Sequence, residues 1–147
     1  MLTVDHLTGQ PDQERQILKE SARRGRGMLR KIRDVCWKDY DALVIPGGLG
    51  LLTNYQHSQA VADCVRYFAA ASKPIAAMCA GIDFLRGLLG GDLLLEEVSP
   101  LKATEYCCDR QKKIFYTPAF KKTDSCYEIM QGIAAMLADF AAVHSGE

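Results

Sequence analysis

Apolar and polar positions fall into two kinds of block along the 147 residues. Ala42-Leu43-Val44-Ile45 and Ile75-Ala76-Ala77-Met78 are short unbroken apolar runs, which suits strands buried inside a parallel sheet. The first ends in the tight-turn sequence Pro46-Gly47-Gly48, and Lys73-Pro74 punctuates the entry to the second. Helical spacing fills the stretches between and after them. Ser58 stands at a capping position, and Val61, Cys64, Val65 and Phe68 make the inner face of a helix to about Ala71. Ile82 to Leu89 forms the next helix, closed by Gly90-Gly91. A capping box, Ser125-x-x-Glu128, heads a last helix whose Ile129, Ile133, Met136, Leu137 and Phe140 are core contacts. Asp12 to Arg24 also reads as a helix, with Ile17, Leu18 and Ala22 as its stripe and Glu20–Arg24 as an i,i+4 pair. Thr104 to Cys108 and Ile114 to Tyr116 read as the strands of a hairpin around polar residues 109–113. This alternation predicts an α/β fold in three layers. There is no internal repeat or low-complexity linker, so residues 1–147 read as a single domain.

The charge is balanced, 18 basic against 18 acidic residues, so no global field points to nucleic acid or a membrane. Six basic residues from Arg23 to Arg33 form a local cluster that reads as an anion or nucleic-acid patch or, the favoured reading because no aromatics interleave it, as a solvated face. No apolar stretch is expected to reach a membrane span, and Met1 to His6 does not read as a signal peptide. The six cysteines are therefore expected to be reduced, in a cytoplasmic setting, or in a mitochondrial matrix if a targeting segment lies upstream. No Cys-x-x-Cys pair occurs and His6, His57 and His144 are scattered, so no metal site is expected. Cys107 and Cys108 should point to opposite faces of a strand.

Candidate chemistry concentrates at two turns, Pro46-Gly47-Gly48 and Met78-Cys79-Ala80-Gly81. Each follows a strand at the end where α/β sheets place their sites. A cysteine between a strand and a helix N-terminus sits where negative charge is stabilised and thiolates are favoured. The competing reading is a buried core cysteine. If the two strands are neighbours, the backbone N–H groups of Gly48 and Ala80 converge on Cys79 as an oxyanion hole. Gly47, Gly81, Asn54 and Thr117 are candidates for the pocket wall.

The pair of turns resembles the ThiJ/PfpI group of the class I glutamine amidotransferase-like superfamily, and within it the ElbB-like, isoprenoid-biosynthesis or glyoxalase-like branch. The likeness runs through residues 4–10, 17–23 with Arg26-Gly27 after them, and 39–48, through Lys73 to Cys79, and through Lys113-Ile114, Thr117-Pro118-Ala119-Phe120 and residues 132–136. It implies a flavodoxin-like three-layer sandwich with a mostly parallel sheet, shortened at its N-terminus relative to the family. It also implies a homodimer and a small carbonyl substrate attacked by Cys79, with Gly48 and Ala80 as backbone donors and no cofactor. The family's first turn carries a glutamate acid/base partner for which this sequence has no counterpart. No histidine follows Cys79, and no downstream His-x-Glu pair completes a glutaminase triad.

Two functions follow as expectations. One is a glyoxalase-type lyase or hydrolase, weakly active without the glutamate, converting a small aldehyde to a hydroxy acid. The other is a non-catalytic redox-sensing or interaction domain that keeps a reactive Cys79. Asp83 and His57 are the candidates for moving a proton in place of the glutamate, against the favoured readings of a helix-start acid and an exposed loop or helix-start residue. Tyr55, Tyr116 and Phe120 are aromatic candidates for a pocket wall, with core packing an equal reading for Phe120. His6 matches a family position without an assigned role.

Overall fold

A computed structural model describes residues 2–5 and 7–145. The chain opens with an antiparallel pair, β1 (Leu2–Val4) and β2 (Pro11–Gln16), followed by helix α1 (Ile17–Arg24). This corrects the expected helix from Asp12. Residues 11–16 carry no apolar stripe, the Asp12 carboxylate accepts the backbone N–H groups of Glu14 and Arg15, and β1 supplies a partner strand. Glu20 pairs with Arg15 at 2.9 Å and Arg23 at 3.9 Å rather than with Arg24. The basic cluster is solvated, with all six charged side chains exposed. Two single 3-10 turns, Ile32–Asp34 and Trp37–Asp39, lead to the main sheet.

That sheet is built from β3 (Leu43–Ile45), β4 (Ile75–Met78), β5 (Cys107–Asp109) and β6 (Ile114–Thr117), in the order β3-β4-β6-β5. The first two pairings are parallel and β5 returns antiparallel to β6. Between β3 and β4 come α2 (Gly50–Thr53) and α3 (Gln59–Ala70); α4 (Gly81–Leu89) and α5 (Leu95–Val98) follow β4, and α6 (Cys126–Ser145) follows β6.

Alternation along the strands divides the core in two. Ile75, Ala77, Ile114 and Tyr116 face one side, where Cys64, Val65 and Phe68 of α3 and Ile82, Phe84 and Leu85 of α4 cover them. Ala76, Met78 and Phe115 face the other, under Met136 and Phe140 of α6. The Phe115 and Phe140 rings meet edge-on at 5.5 Å between centroids. Cys107 and Cys108 go to opposite faces, as their adjacency requires.

Two expectations need correction. β3 is not buried on both sides: it is an edge strand, and Val44 is 45% exposed. The Leu43 N–H donates to the Pro74 carbonyl at 2.9 Å, so strand alternation turns the Val44 peptide groups toward the open side. And α6, over Cys126–Val143, is long and apolar enough to cross a membrane by length and composition, although here one face lies on the sheet. Its cap is half of the expected box. The Glu128 N–H donates to Ser125 Oγ at 3.4 Å, but the Ser125 N–H donates to Thr123 Oγ1.

Candidate active site

Three strands deliver their carboxyl ends to one place. β3 runs into Pro46-Gly47-Gly48, β4 into Cys79 and β6 into Thr117-Pro118-Ala119. Positive φ angles mark all three exits: Gly47 at 90°, Gly48 at 96°, Cys79 at 50° and Ala119 at 49°. Left-handed non-glycine residues cost about 1–3 kcal/mol each and persist only where the surroundings impose them.

The surroundings of Cys79 are well defined. Its N–H donates to the Thr117 carbonyl at 3.1 Å, and its carbonyl accepts the Tyr116 hydroxyl at 3.2 Å. Gly47 abuts it from β3: a β-carbon there would stand 2.6 Å from the Met78 oxygen and 3.1 Å from the Cys79 Cβ. Only glycine satisfies both that contact and its left-handed φ. Beneath the turn, Gly81 is buried. A β-carbon on it would stand 3.1 Å from the Ala77 Cβ and 3.3 Å from the Ile45 oxygen. The two turns named from the sequence therefore meet, with small residues at each point of contact.

Ala80 follows Cys79 in the chain, and Gly48 follows Gly47, the residue that abuts Cys79 from β3. Among the described residues neither the Ala80 nor the Gly48 N–H donates a hydrogen bond. Gly48 is exposed and has open space where a side chain would lie. Ala80 is 2% exposed and caps α4, where the first-turn N–H groups lack intrahelical acceptors.

Cys79 is half-buried, so neither a fully enclosed thiol nor a freely projecting one describes it. The six cysteines are all free thiols. Burial raises the Cys64 thiol, and raises Cys107 and Cys108 to about 11.

The remaining candidates separate by what they touch. Thr117 is fully buried, and its hydroxyl donates to the Glu105 carbonyl at 2.9 Å, so it meets Cys79 through backbone alone. Asn54 accepts the Val4 N–H at 2.8 Å and donates to Thr53 Oγ1, tying α2's end to β1. Asp83, in the first turn of α4, is paired with Lys121. His57 is exposed and its ring meets the Gln56 side chain at 3.0 Å. Phe120 is 61% exposed, whereas Tyr55 packs against the α3–α4 side of the core. His6 lies outside the described residues. Lys121 and the Tyr116 hydroxyl were not singled out as polar neighbours of the turn. The signal for both was their place in and just after the strand that pairs with β4.

Among the described residues no group of three or more His, Cys, Asp or Glu side chains is arranged to hold a metal ion. A cavity of about 660 Å³ lies away from Cys79, beside the open edge of β3, lined by Met28, Ile32, Trp37, Leu43 and Phe68 among others.

Residues 19–91 match the DJ-1/PfpI family, a segment that contains both turns. The human protein "Glutamine amidotransferase-like class 1 domain-containing protein 3, mitochondrial" is 31% identical over 91 residues, covering 54% of this chain and 34% of that protein. The rat "ES1 protein homolog, mitochondrial" is 30% identical over the same length and coverage. The matched part thus spans about a third of the curated relatives. A crystal structure of an isoprenoid biosynthesis protein with an amidotransferase-like domain, from Ehrlichia chaffeensis, superposes with a TM-score of 0.80 at 28% identity. That superposition covers 97% of this chain and 78% of the Ehrlichia chain, and it establishes the flavodoxin-like α/β architecture. The chain belongs to the DJ-1/PfpI family and resembles its amidotransferase-like, isoprenoid-biosynthesis branch.

Proposed function

We propose that this domain is a cysteine nucleophile acting on small aldehydes, in a glyoxalase-type reaction. The observation that carries the proposal is Cys79 in a left-handed turn, half-buried and abutted by Gly47, with the N–H groups of the next residues in the two turns, Gly48 and Ala80, making no hydrogen bond among the described residues. A thiolate there adds to the carbonyl carbon of a dicarbonyl such as glyoxal, forming a C–S bond and an oxyanion. N–H groups directed at that oxygen stabilise the charge as it develops. Moving a proton from the new carbinol carbon to the neighbouring carbonyl carbon yields a thioester. Water then releases the hydroxy acid and restores the thiol. No external oxidant or reductant is consumed.

One observation favours a second reading, a redox-sensing domain. Asp83, the carboxylate nearest Cys79 along the chain, is held by Lys121 rather than free for proton transfer. In that role a peroxide oxidises Cys79 to a sulfenic acid, which the same N–H groups hold.

Turnover of glyoxal and methylglyoxal, measured beside Cys79→Ala, tests the first reading. Activity that disappears in the variant supports it. Equal background in both proteins, with Cys79 the first thiol oxidised by dilute peroxide, transfers support to the sensor. The mitochondrial designation belongs to the two curated relatives; import of this chain is a separate experiment.

A further inference from the structure

We infer that Tyr116 is a positioning residue for Cys79, holding the reactive turn through its hydroxyl. This role rests on the reading of Cys79 as the nucleophile. Tyr116 is 0% exposed and lies in the central strand β6, where it pairs with Ala77 of β4, two residues before Cys79. Its side chain faces the α3–α4 side together with Ala77. Its hydroxyl donates to the Cys79 carbonyl oxygen at 3.2 Å. Among the described residues that oxygen is the hydroxyl's hydrogen-bond acceptor. A buried hydroxyl without a partner is costly, so the bond fixes both groups.

The arrangement has a mechanical meaning. Adjacent residues of β6 hold both peptide groups of Cys79: the Thr117 carbonyl takes its N–H, and the Tyr116 hydroxyl meets its carbonyl. A left-handed non-glycine residue relaxes unless its neighbours over-determine it. Phenylalanine at 116 would fill the same space and remove only the second of those constraints. The phenol stays in its donating, protonated form because burial, and after it the nearby Asp83 and Cys79 charges, raise its ionisation far above the ordinary range.

Tyr116→Phe tests this with two readouts on the whole chain. The first is amide hydrogen exchange of residues 79–82. The anchor predicts exchange several-fold faster in the variant while β4 before Cys79 is unchanged; identical exchange overturns it. The second is alkylation of each thiol by iodoacetamide at neutral pH, followed by peptide mass mapping, with the exposed Cys36 and Cys126 as internal standards. Cys79 should slow by about fivefold, the loss of one net hydrogen bond, while Cys107 and Cys108 stay slow because the sheet is intact. If all the buried and half-buried thiols accelerate together, Tyr116 supports the fold at large and the specific role is overturned. If Cys79 in the unaltered protein reacts no faster than Cys36 and Cys126, the nucleophile reading fails, while the exchange readout still decides the anchor.

Discussion

Gly132 of α6 lies directly against the Ala103 carbonyl: a β-carbon at 132 would stand 2.1 Å from that oxygen and 2.9 Å from Thr117 Oγ1. The helix is seated on the loop before β5 with no space for a methyl group, and Thr117 sits behind the contact. Gly132→Ala therefore forces the helix or the loop to move. We expect a loss of about 1–3 kcal/mol, the usual cost of overpacking, read from urea denaturation. Gly87→Ala is the control. Gly87 is within α4 and has nothing within 4 Å of a built β-carbon, so alanine should be neutral or stabilise by up to about 1 kcal/mol. Equal effects at 132 and 87 would remove the packing explanation.

Gly47→Ala should disable Cys79 without touching it. The added carbon collides with the Met78 carbonyl and crowds the Cys79 Cβ, on a backbone already at φ 90°. Either β3 withdraws or the cysteine turn shifts, and both spread the two turns apart. The expected result is a loss of about 1–3 kcal/mol in stability together with slower alkylation of Cys79. A stable variant with unchanged Cys79 reactivity contradicts the tight apposition of the two turns.

Asp83→Asn should leave Cys79 alkylation unchanged and cost less than about 1 kcal/mol. Its ion pair with Lys121 has side chains 40% and 35% exposed, so water screens much of the attraction. A large drop in turnover with intact Cys79 alkylation would instead make Asp83 a proton-transfer group.

The protein should lose stability at alkaline pH through its thiols. Burial raises Cys107 and Cys108 to about 11 in the folded chain. In the unfolded chain they ionise near the ordinary cysteine value of about 8.5. Their contribution is therefore complete below that value. It falls as the pH climbs toward the folded-state value, because the unfolded chain releases protons first. Tyr106 and Tyr116, both raised by burial, act in the same direction at higher pH. Urea midpoints measured across this window should decline more gently in Cys107→Ala than in the parent. Parallel curves would exclude Cys107 as a contributor.

The central strands were legible because burial on both faces writes an unbroken apolar run, as in Ile75 to Met78 and Ile114 to Tyr116. Their helices were legible for the complementary reason: Cys64, Val65 and Phe68 recur at helical spacing on one covered face. Pro11 to Gln16 was not legible. Five polar side chains after a proline favour no burial pattern, and only pairing with Leu2–Val4 makes them a strand. Nor did Val44 betray its exposure, since an edge and a central strand can share one apolar sequence. At the site, glycines 47 and 81 announced a crowded backbone, but the reach of Tyr116 to Cys79 depends on strand register. The partnership of Lys121 with Asp83 spans 38 positions and carries no local signature.

Cys107 and Cys108 are neighbours along the chain but stand on opposite sides of a wall one strand thick. A reagent diffusing in from the α3 side meets only the first, and one entering beneath α6 meets only the second. Joining the two sulfurs requires β5 to peel away from β6. A 107–108 bond found in a purified sample would therefore act as a fossil of past opening at this edge, marking molecules whose β5 had come away before they were collected.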